Sequence, residues 1–365
     1  MKVVISRPDL VSIIGKIQSI VAAKPAIPIL ANILLEAYDG QLTISATDLT
    51  VSMKAHTDAE VIEEGAVTLP ARRFFQLIRE LTSSQVEIQC STGEIAYITA
   101  DSSRFRLNGM HKSEFPSLPD FSSSNSFELE SDTLKDMLTK TAFAAARDDS
   151  RHVLNGVLMK LEDAQATFIG TDGKRLAKIH TPIEEADISG EFLIPLKAVE
   201  EVVKILDSEK PAKICLQPDK ISLELGPITL MTKLLSGQFP DVDRVIPSES
   251  SVEIKLHKDE LISLLKQVSL FTSDRSNSVH FVFNPGELHL MATSSEIGEG
   301  KVCMPVDYSG EKLEIAFNPS FYLDILRHCK DETVKFSLSD SYNPGKITDS
   351  SSALFVIMPM RLNHA

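Results

Sequence analysis

The sequence predicts an α+β protein built from three tandem repeats of one domain, and three observations lead there. A strand followed by an amphipathic helix occurs three times. A second such unit, with proline at the switch, also occurs three times, and the interval between copies is nearly constant. Self-similarity at a fixed period marks a repeated architecture, and a period this long gives every copy a core of its own. At 365 residues the chain has room for two or three domains rather than one.

The first unit begins with Val3-Val4-Ile5-Ser6, followed by Leu10, Ile13, Ile14, Ile17 and Val21 on one helical stripe. Phe127-Glu128-Leu129-Glu130 precedes Leu134, Met137, Leu138 and Thr141, and Val252 to Leu256 precedes Leu261, Leu264, Leu265 and Val268. Alternation giving way to i, i+3, i+4, i+7 spacing is the strand-to-helix signature. Asp9, Ser131 and Asp259 stand near the helix starts, where caps and acidic side chains suit the exposed N–H groups.

In the second unit Val67-Thr68-Leu69-Pro70 leads into Phe74, Leu77, Ile78 and Leu81. Phe192 to Pro195 leads into Val199, Val202, Val203 and Leu206, and Ile315 to Pro319 into Tyr322, Ile325, Leu326 and Cys329. Proline is expected in the first helical turn, where its missing N–H costs nothing. Pro70 and Pro195 are 125 residues apart, and Pro195 and Pro319 are 124 apart. Hairpins are expected at Asp39-Gly40, Asp163-Ala164 and Pro285-Gly286, each between alternating flanks. Pro- and Ser-rich stretches at 116–126 and 240–251 read as linkers, giving domains 1–121, 122–246 and 247–365.

Composition narrows the function class. The net charge is −14, yet the six predicted helices (8–22, 70–81, 131–143, 195–206, 258–270, 319–330) carry +3 together, leaving −17 elsewhere. Lys16, Lys24, Arg72, Arg73, Arg79, Lys135, Lys140, Lys197, Lys204, Lys266, Arg327 and Lys330 are candidates for a basic helical face. Charge alone fits either ordinary solvated helices or a surface making loose, sequence-blind contact with a nucleic-acid backbone. Cys90, Cys215, Cys303 and Cys329 lie far apart without a C-x-x-C pair, so reduced thiols are expected. The N-terminus shows no signal-peptide pattern and no apolar run approaches a membrane span, so a cytoplasmic protein is expected.

Catalytic motifs are absent. Gly170 to Arg175 fails the phosphate-loop spacing, and neither H-E-x-x-H nor G-x-S-x-G occurs. The nine histidines include no pair at helical metal spacing, and Asp148-Asp149 has no companions for acid–base work. Trp is missing, which disfavours stacking on single-stranded bases. Asp172-Gly173 reads as a tight turn. No cofactor and no metal is expected.

Several segments then carry a resemblance. They are Lys24-Pro25 with Pro28 to Asn32, Ala46-Thr47-Asp48-Leu49, Pro70 to Phe75, and Ser103 to Leu107. Further along come Leu154-Asn155-Gly156, Thr171 to Leu176, Phe239-Pro240-Asp241, Phe317-Asn318 and Met358-Pro359-Met360-Arg361-Leu362. In this order, over essentially the whole chain, they resemble the bacterial DNA polymerase III beta subunit family, the sliding clamps.

The resemblance implies three clamp domains per subunit, two subunits closed head to tail in a ring, helices lining a central hole and sheets forming the outside. It implies a non-catalytic processivity factor that encircles double-stranded DNA. Its partners would be the polymerase III alpha subunit, the clamp loader and other proteins carrying a clamp-binding motif, at the replication fork. The implied partner-peptide groove comprises Leu154, Thr171, Gly173, Lys174, Arg175, Leu176, Pro240, Arg244, Val245, Met358, Pro359, Met360 and Arg361. Leu, Val and Met suit an adaptable apolar groove, and Arg suits anchoring of polar groups; without the resemblance, 358–362 reads as a last core strand. Implied DNA contacts are Lys24, Arg72, Lys197 and Asn318. The implied dimer contact sets Arg104, Phe105, Arg106 and Leu107 against Leu270, Phe271, Glu296 and Glu299 of the second subunit.

Three features depart from the family pattern. The acidic side of the dimer contact has only Glu296 and Glu299, Asp148 and Asp149 occupy a loop expected near DNA, and Asn363-His364-Ala365 extends the usual ending. The rival class is a non-enzymatic oligomeric scaffold that binds only proteins.

Overall fold

A computed structural model describes every residue except 23, 92–93, 119–124, 185–187, 207–209, 249–250, 274–276 and 362–365. The extension Asn363 to Ala365 and Leu362 of the C-terminal motif therefore lie outside the described residues.

The first repeat runs β1 (Lys2–Ser6), α1 (Arg7–Ile17), β2 (Asn32–Tyr38), β3 (Gln41–Thr47), β4 (Val51–Asp58), β5 (Glu60–Glu63), β6 (Gly65–Pro70), α2 (Ala71–Glu80), β7 (Gln85–Cys90), β8 (Ile95–Ala100) and β9 (Ser103–Asn108). The second runs β10 (Ser126–Leu129), α3 (Ser131–Ala142), β11 (Gly156–Glu162), β12 (Gln165–Thr171), β13 (Arg175–Pro182), β14 (Gly190–Pro195), α4 (Leu196–Ile205), β15 (Ala212–Leu216), β16 (Lys220–Leu225) and β17 (Ile228–Lys233). The third runs β18 (Val252–His257), α5 (Lys258–Val268), β19 (Val279–Asn284), β20 (Glu287–Ser294), β21 (Gly298–Pro305), β22 (Leu313–Phe317), α6 (Pro319–His328), β23 (Thr333–Leu338), β24 (Gly345–Thr348) and β25 (Leu354–Ile357). Apart from the added strand β5, the element order is the same in all three.

Two compact units divide the chain, at 1–135 with 197–235 and at 136–196 with 236–365. The first unit holds a five-stranded sheet, β5-β1-β7-β8-β9, and an eight-stranded sheet, β10-β15-β16-β17-β4-β3-β2-β6. The second holds an eight-stranded sheet, β14-β11-β12-β13-β25-β24-β23-β18, and a four-stranded sheet, β21-β20-β19-β22. Each eight-stranded sheet joins two repeats: β17 pairs antiparallel with β4, and β25 with β13. The last strand of one repeat thus always adds to the fourth core strand of the repeat before it.

All three expected hairpins form. Asp39-Gly40 and Asp163-Ala164 turn with both residues at positive φ, matching the twist of the flanking strands. Gly286 supplies the positive φ in the third. The helical stripes are buried as expected, with Leu10, Ile14, Phe74, Leu261, Leu265, Ile325 and Leu326 wholly inside.

The structure corrects three expectations. Helix α1 ends at Ile17, so Val21 is buried from the turns that follow rather than from the helix. Proline opens the helix only at Pro319; Pro70 and Pro195 are the last residues of β6 and β14, so they switch the chain one residue earlier. Lys140 belongs to no exposed basic face: its side chain is 7% exposed and pairs with Asp136 at 2.8 Å, four residues back on α3.

In the second unit Phe281, Phe317, Tyr322 and Phe336 form one aromatic cluster with centroids 4.9 to 5.8 Å apart. The Tyr322 hydroxyl is buried there without a hydrogen-bond partner, and burial pushes its pKa well above the usual phenol value. A buried unpaired hydroxyl costs about 1–3 kcal/mol. Tyr322→Phe is therefore expected to leave stability unchanged or raise it by about 1 kcal/mol. Urea unfolding checks this, and a clear loss of stability would refute it.

Candidate functional site

The T-D-G-K-R-L segment folds as a compact loop between β12 and β13, held by its own side chains. The Thr171 hydroxyl accepts from Gly173 N at 3.0 Å and donates to the Arg175 carbonyl at 2.6 Å. Asp172 Oδ1 accepts from Lys174 N and Arg175 N at 2.9 and 3.0 Å. Gly173 takes φ +83°, a value that favours glycine, and the Arg151 guanidinium packs 3.2 Å from where a Cβ would stand. An Asp that bonds the backbone N–H groups two and three residues on is a common way to stabilise such a turn. The first repeat copies it: Asp48 Oδ1 accepts from Thr50 N and Val51 N, and the Thr47 hydroxyl from Leu49 N.

Arg175 is caged. Its Nη1 donates to Asp324 at 2.7 Å and its Nε to Asp172 at 3.2 Å. The guanidinium lies 4.6 Å from the Phe321 ring centre and 5.4 Å from that of Phe143. Phe143 in turn stacks on His328 at 4.2 Å. Only a planar, forked cation meets two carboxylates and two rings at once.

Beside this cage, within the second unit, a cleft of about 600 Å³ opens. Leu154, Leu176 and Val356 form its buried floor, Thr171, Gly173 and Arg175 one wall, and Pro240, Asp241, Val242, Val245 and Met358 the rim. Val245 and Met358 are 43% and 40% exposed, large apolar side chains that mark a contact surface. The mostly apolar lining suits a short peptide segment.

Eight of the thirteen groove residues named above meet in this cleft. Lys174, Arg244, Pro359, Met360 and Arg361 do not line it. Lys174 holds the neighbouring strand instead, its carbonyl accepting from Met358 N at 2.9 Å. Arg244 is spent on Asp241 at 2.8 Å, and Met360 N bonds the Ala316 carbonyl at 2.8 Å. Sequence reasoning missed Arg151, Asp241, Val242 and Val356. Val356 stands two residues before Met358 on one strand face, a period-two signal that was available.

The DNA-contact candidates differ in freedom. Lys24 and Arg72 are exposed and have no ion-pair partner among the described residues. Lys197 forms an ion pair with Asp48, within the first unit. Asn318 caps α6, its side-chain oxygen accepting from Ser320 N at 2.9 Å. In the second unit Asp149 binds Arg151 through both carboxylate oxygens, at 3.0 and 2.9 Å. Those bonds hold the Asp149 carboxyl down at about 2 and raise Arg151, so this acidic loop is locally neutralised. Among the described residues Asp148 has no such partner.

Two sheets end in exposed strands. On β9, Arg104, Phe105 and Arg106 are exposed, Leu107 is half-buried, and among the described residues only β8 pairs with the strand. On the four-stranded sheet β21 pairs, among the described residues, only with β20. Leu270 is 73% exposed in the same repeat, and Glu296 and Glu299 are exposed as well. Phe271 is half-buried, its ring seated on Gly300, where a Cβ would come within 2.5 Å of it. Among the described residues no group of His, Cys, Asp or Glu is arranged to hold a metal, and no helix is long and apolar enough to cross a membrane.

Comparison with known proteins assigns the chain. Models of the DNA polymerase III beta subunit match in order: the N-terminal domain at 1–119, the central domain at 128–241 and the C-terminal domain at 243–361. The beta sliding clamp of Chlamydia pneumoniae is 54% identical over 364 residues, covering 100% of both chains. That of Escherichia coli K12 is 32% identical, covering 99% of this chain and 100% of its own. Among solved structures, the polymerase III beta subunit of Pseudomonas aeruginosa matches with a TM-score of 0.95 at 28% identity, covering 99% of this chain and 100% of that one. A clamp from Bartonella birtlesii, solved bound to griselimycin, matches equally well, with a TM-score of 0.95 at 28% identity over 99% and 100% of the two chains. Three clamp domains in tandem, matched end to end by relatives of the same length, make this chain a member of the bacterial DNA polymerase III beta subunit family, the beta sliding clamps.

Proposed function

We propose that the chain is a homodimeric ring, with helices toward the hole and sheets outside, that encircles duplex DNA and tethers the replicative polymerase through its groove. One observation carries the ring. The chain twice joins the last strand of one repeat to the fourth core strand of the preceding one, β17 to β4 and β25 to β13. Among the described residues the same joint leaves one last strand, β9, and one fourth strand, β21, each with one open edge. Pairing β9 of one copy with β21 of a second, twice over, repeats the joint, closes the ring and removes edges that otherwise invite aggregation. Phe105 and Leu107 then meet Leu270 and Phe271, while Arg104 and Arg106 face Glu296 and Glu299.

The clamp is a non-catalytic subunit. Topology rather than contact energy retains it on DNA, so a chain of net charge −14 can serve. Lys24, Arg72, Lys197 and Asn318 make loose contacts that read no sequence. The groove takes hydrophobic motifs of the polymerase III alpha subunit, the clamp loader and other clamp-binding proteins, in the cytoplasm at the replication fork. Domains bounded at 1–121, 122–246 and 247–365 suit this assembly.

The decisive assay is retention on circular duplex DNA after loading, with release on linearisation. No retention on circular DNA would favour a protein-binding scaffold instead, and binding that survives linearisation would mean contact rather than topology. Sedimentation equilibrium supplies a second expected result: the wild type is a dimer, weakened by salt, and Phe105→Glu is a monomer. A wild-type monomer at every concentration would sink the ring.

A further inference from the structure

The groove has a counterpart in the first unit with different chemistry. It lies at the β4–β17 joint as the groove lies at the β13–β25 joint, and it spans about 700 Å³. Register fixes the correspondence. Val51 and Ser52 pair with Thr232 and Met231, as Arg175 and Leu176 pair with Ile357 and Val356. Both clefts start from a Thr-Asp loop, and Pro116 on the rim of one answers Pro240 on the other.

The lining has changed character. Ser52 stands for Leu176, and Lys233 for Met358. Thr47, Ser52 and Thr232 form a buried hydroxyl floor, and Met231 and Leu49 keep an apolar patch beside it. Lys233 and Lys220 are directly opposite one another across β16 and β17, and both line the cleft. Among the described residues neither has an ion-pair partner. Like charges directly opposite across strands destabilise a sheet. In an acid-rich chain, two unneutralised lysines in that arrangement are poised for an anionic guest.

We infer that this second cleft is a docking site for an extended acidic peptide of a partner protein, with carboxylates on Lys220 and Lys233 and an aliphatic side chain against Leu49 and Met231. A peptide fits better than a nucleic-acid strand because, among the described residues, no aromatic side chain lines the cleft for a base to stack on. The inference rests on the cleft itself and does not depend on the ring.

The test uses the full-length protein and a fluorescent peptide of alternating Asp and Leu, titrated by anisotropy at two salt concentrations. Binding should weaken with salt, and the double variant K220E/K233E should lose at least about tenfold in affinity, the scale of one charge-assisted bond. The single variant Lys220→Glu replaces a repulsive pair with an attractive one, so it should melt no lower than wild type while binding the peptide more weakly. Met358→Ala, in the other groove, should leave this affinity unchanged. Equal affinity in wild type and the double variant would overturn the inference. So would displacement of the peptide by inorganic phosphate or oligo-dT as readily as by the unlabelled peptide, since the cleft would then be a general anion or nucleic-acid site.

Discussion

Arg175→Ala is expected to weaken binding of a polymerase-type hydrophobic peptide by about tenfold or more and to cost about 2–4 kcal/mol of stability. Both losses follow from the cage. The side chain is only 12% exposed, and its removal takes from Asp324, itself 33% exposed, the closer of two ion pairs, at 2.7 Å, leaving Arg327 at 3.0 Å. Breaking a buried pair from one side costs about 3–5 kcal/mol, and the part exposure of Asp324 lowers that figure through solvent screening. Phe321 and Phe143 lose a cation from their faces at the same time. The wall of the cleft then keeps only the backbone bonds of residue 175 to Thr171 and Asp172.

Arg175→Lys separates the two roles. Lysine keeps one positive charge near Asp324, but it cannot also reach Asp172 or present a flat face to two rings. An intermediate stability with affinity as poor as that of the alanine variant would mean the groove needs the guanidinium's shape. Peptide titration together with urea unfolding of both variants gives the comparison. Undiminished affinity in Arg175→Ala would remove the residue from the groove altogether.

Much of this architecture was legible in the sequence, for definite reasons. Helix stripes such as Leu261, Leu264, Leu265 and Val268 repeat with one period and are read without knowing the fold. Asp39-Gly40 announces a hairpin because few residue pairs accept two positive φ values. What could not be read was which strand lies beside which. Alternation assigns each residue of β4 and β17 to a face, but it does not say that these strands, about 170 residues apart, are neighbours. Charge was similarly ambiguous, since Lys140 and Lys204 look alike on a helical wheel. The first is buried against Asp136, while the second is 57% exposed beside Glu201. The cage around Arg175 needed the third repeat to bring Asp324 and Phe321 to it, a distance in sequence that no local motif encodes. The groove residues themselves came from the resemblance, because nothing in the spacing of Leu154, Thr171 and Met358 shows that they meet.

Gly170→Ala is expected to destabilise the protein by about 3 kcal/mol or more, although the change adds one methyl group. A Cβ at Gly170 would stand 2.1 Å from the carbonyl oxygen of Thr141, backbone that no rotamer change can move aside. That carbonyl is committed to the end of α3, where it accepts from Ala144 N at 3.1 Å. The helix end or strand β12 must shift by about an ångström or more, and close-packed interiors resist such shifts. The same place in the other repeats holds Ala46 and Ala292, both buried, each directly before a threonine. Glycine at 170 is thus a requirement of how tightly α3 closes on β12, not of the repeat as such. Ala46→Gly, the reverse change, should cost only about 1 kcal/mol, for one buried methyl and added backbone freedom. Because Gly170 adjoins Thr171, whose hydroxyl braces the loop, peptide affinity should fall along with stability. Urea unfolding of the two variants side by side decides the matter. A neutral Gly170→Ala would mean that α3 yields at its end without loss, and that the loop at 171–175 is braced by its own hydrogen bonds alone.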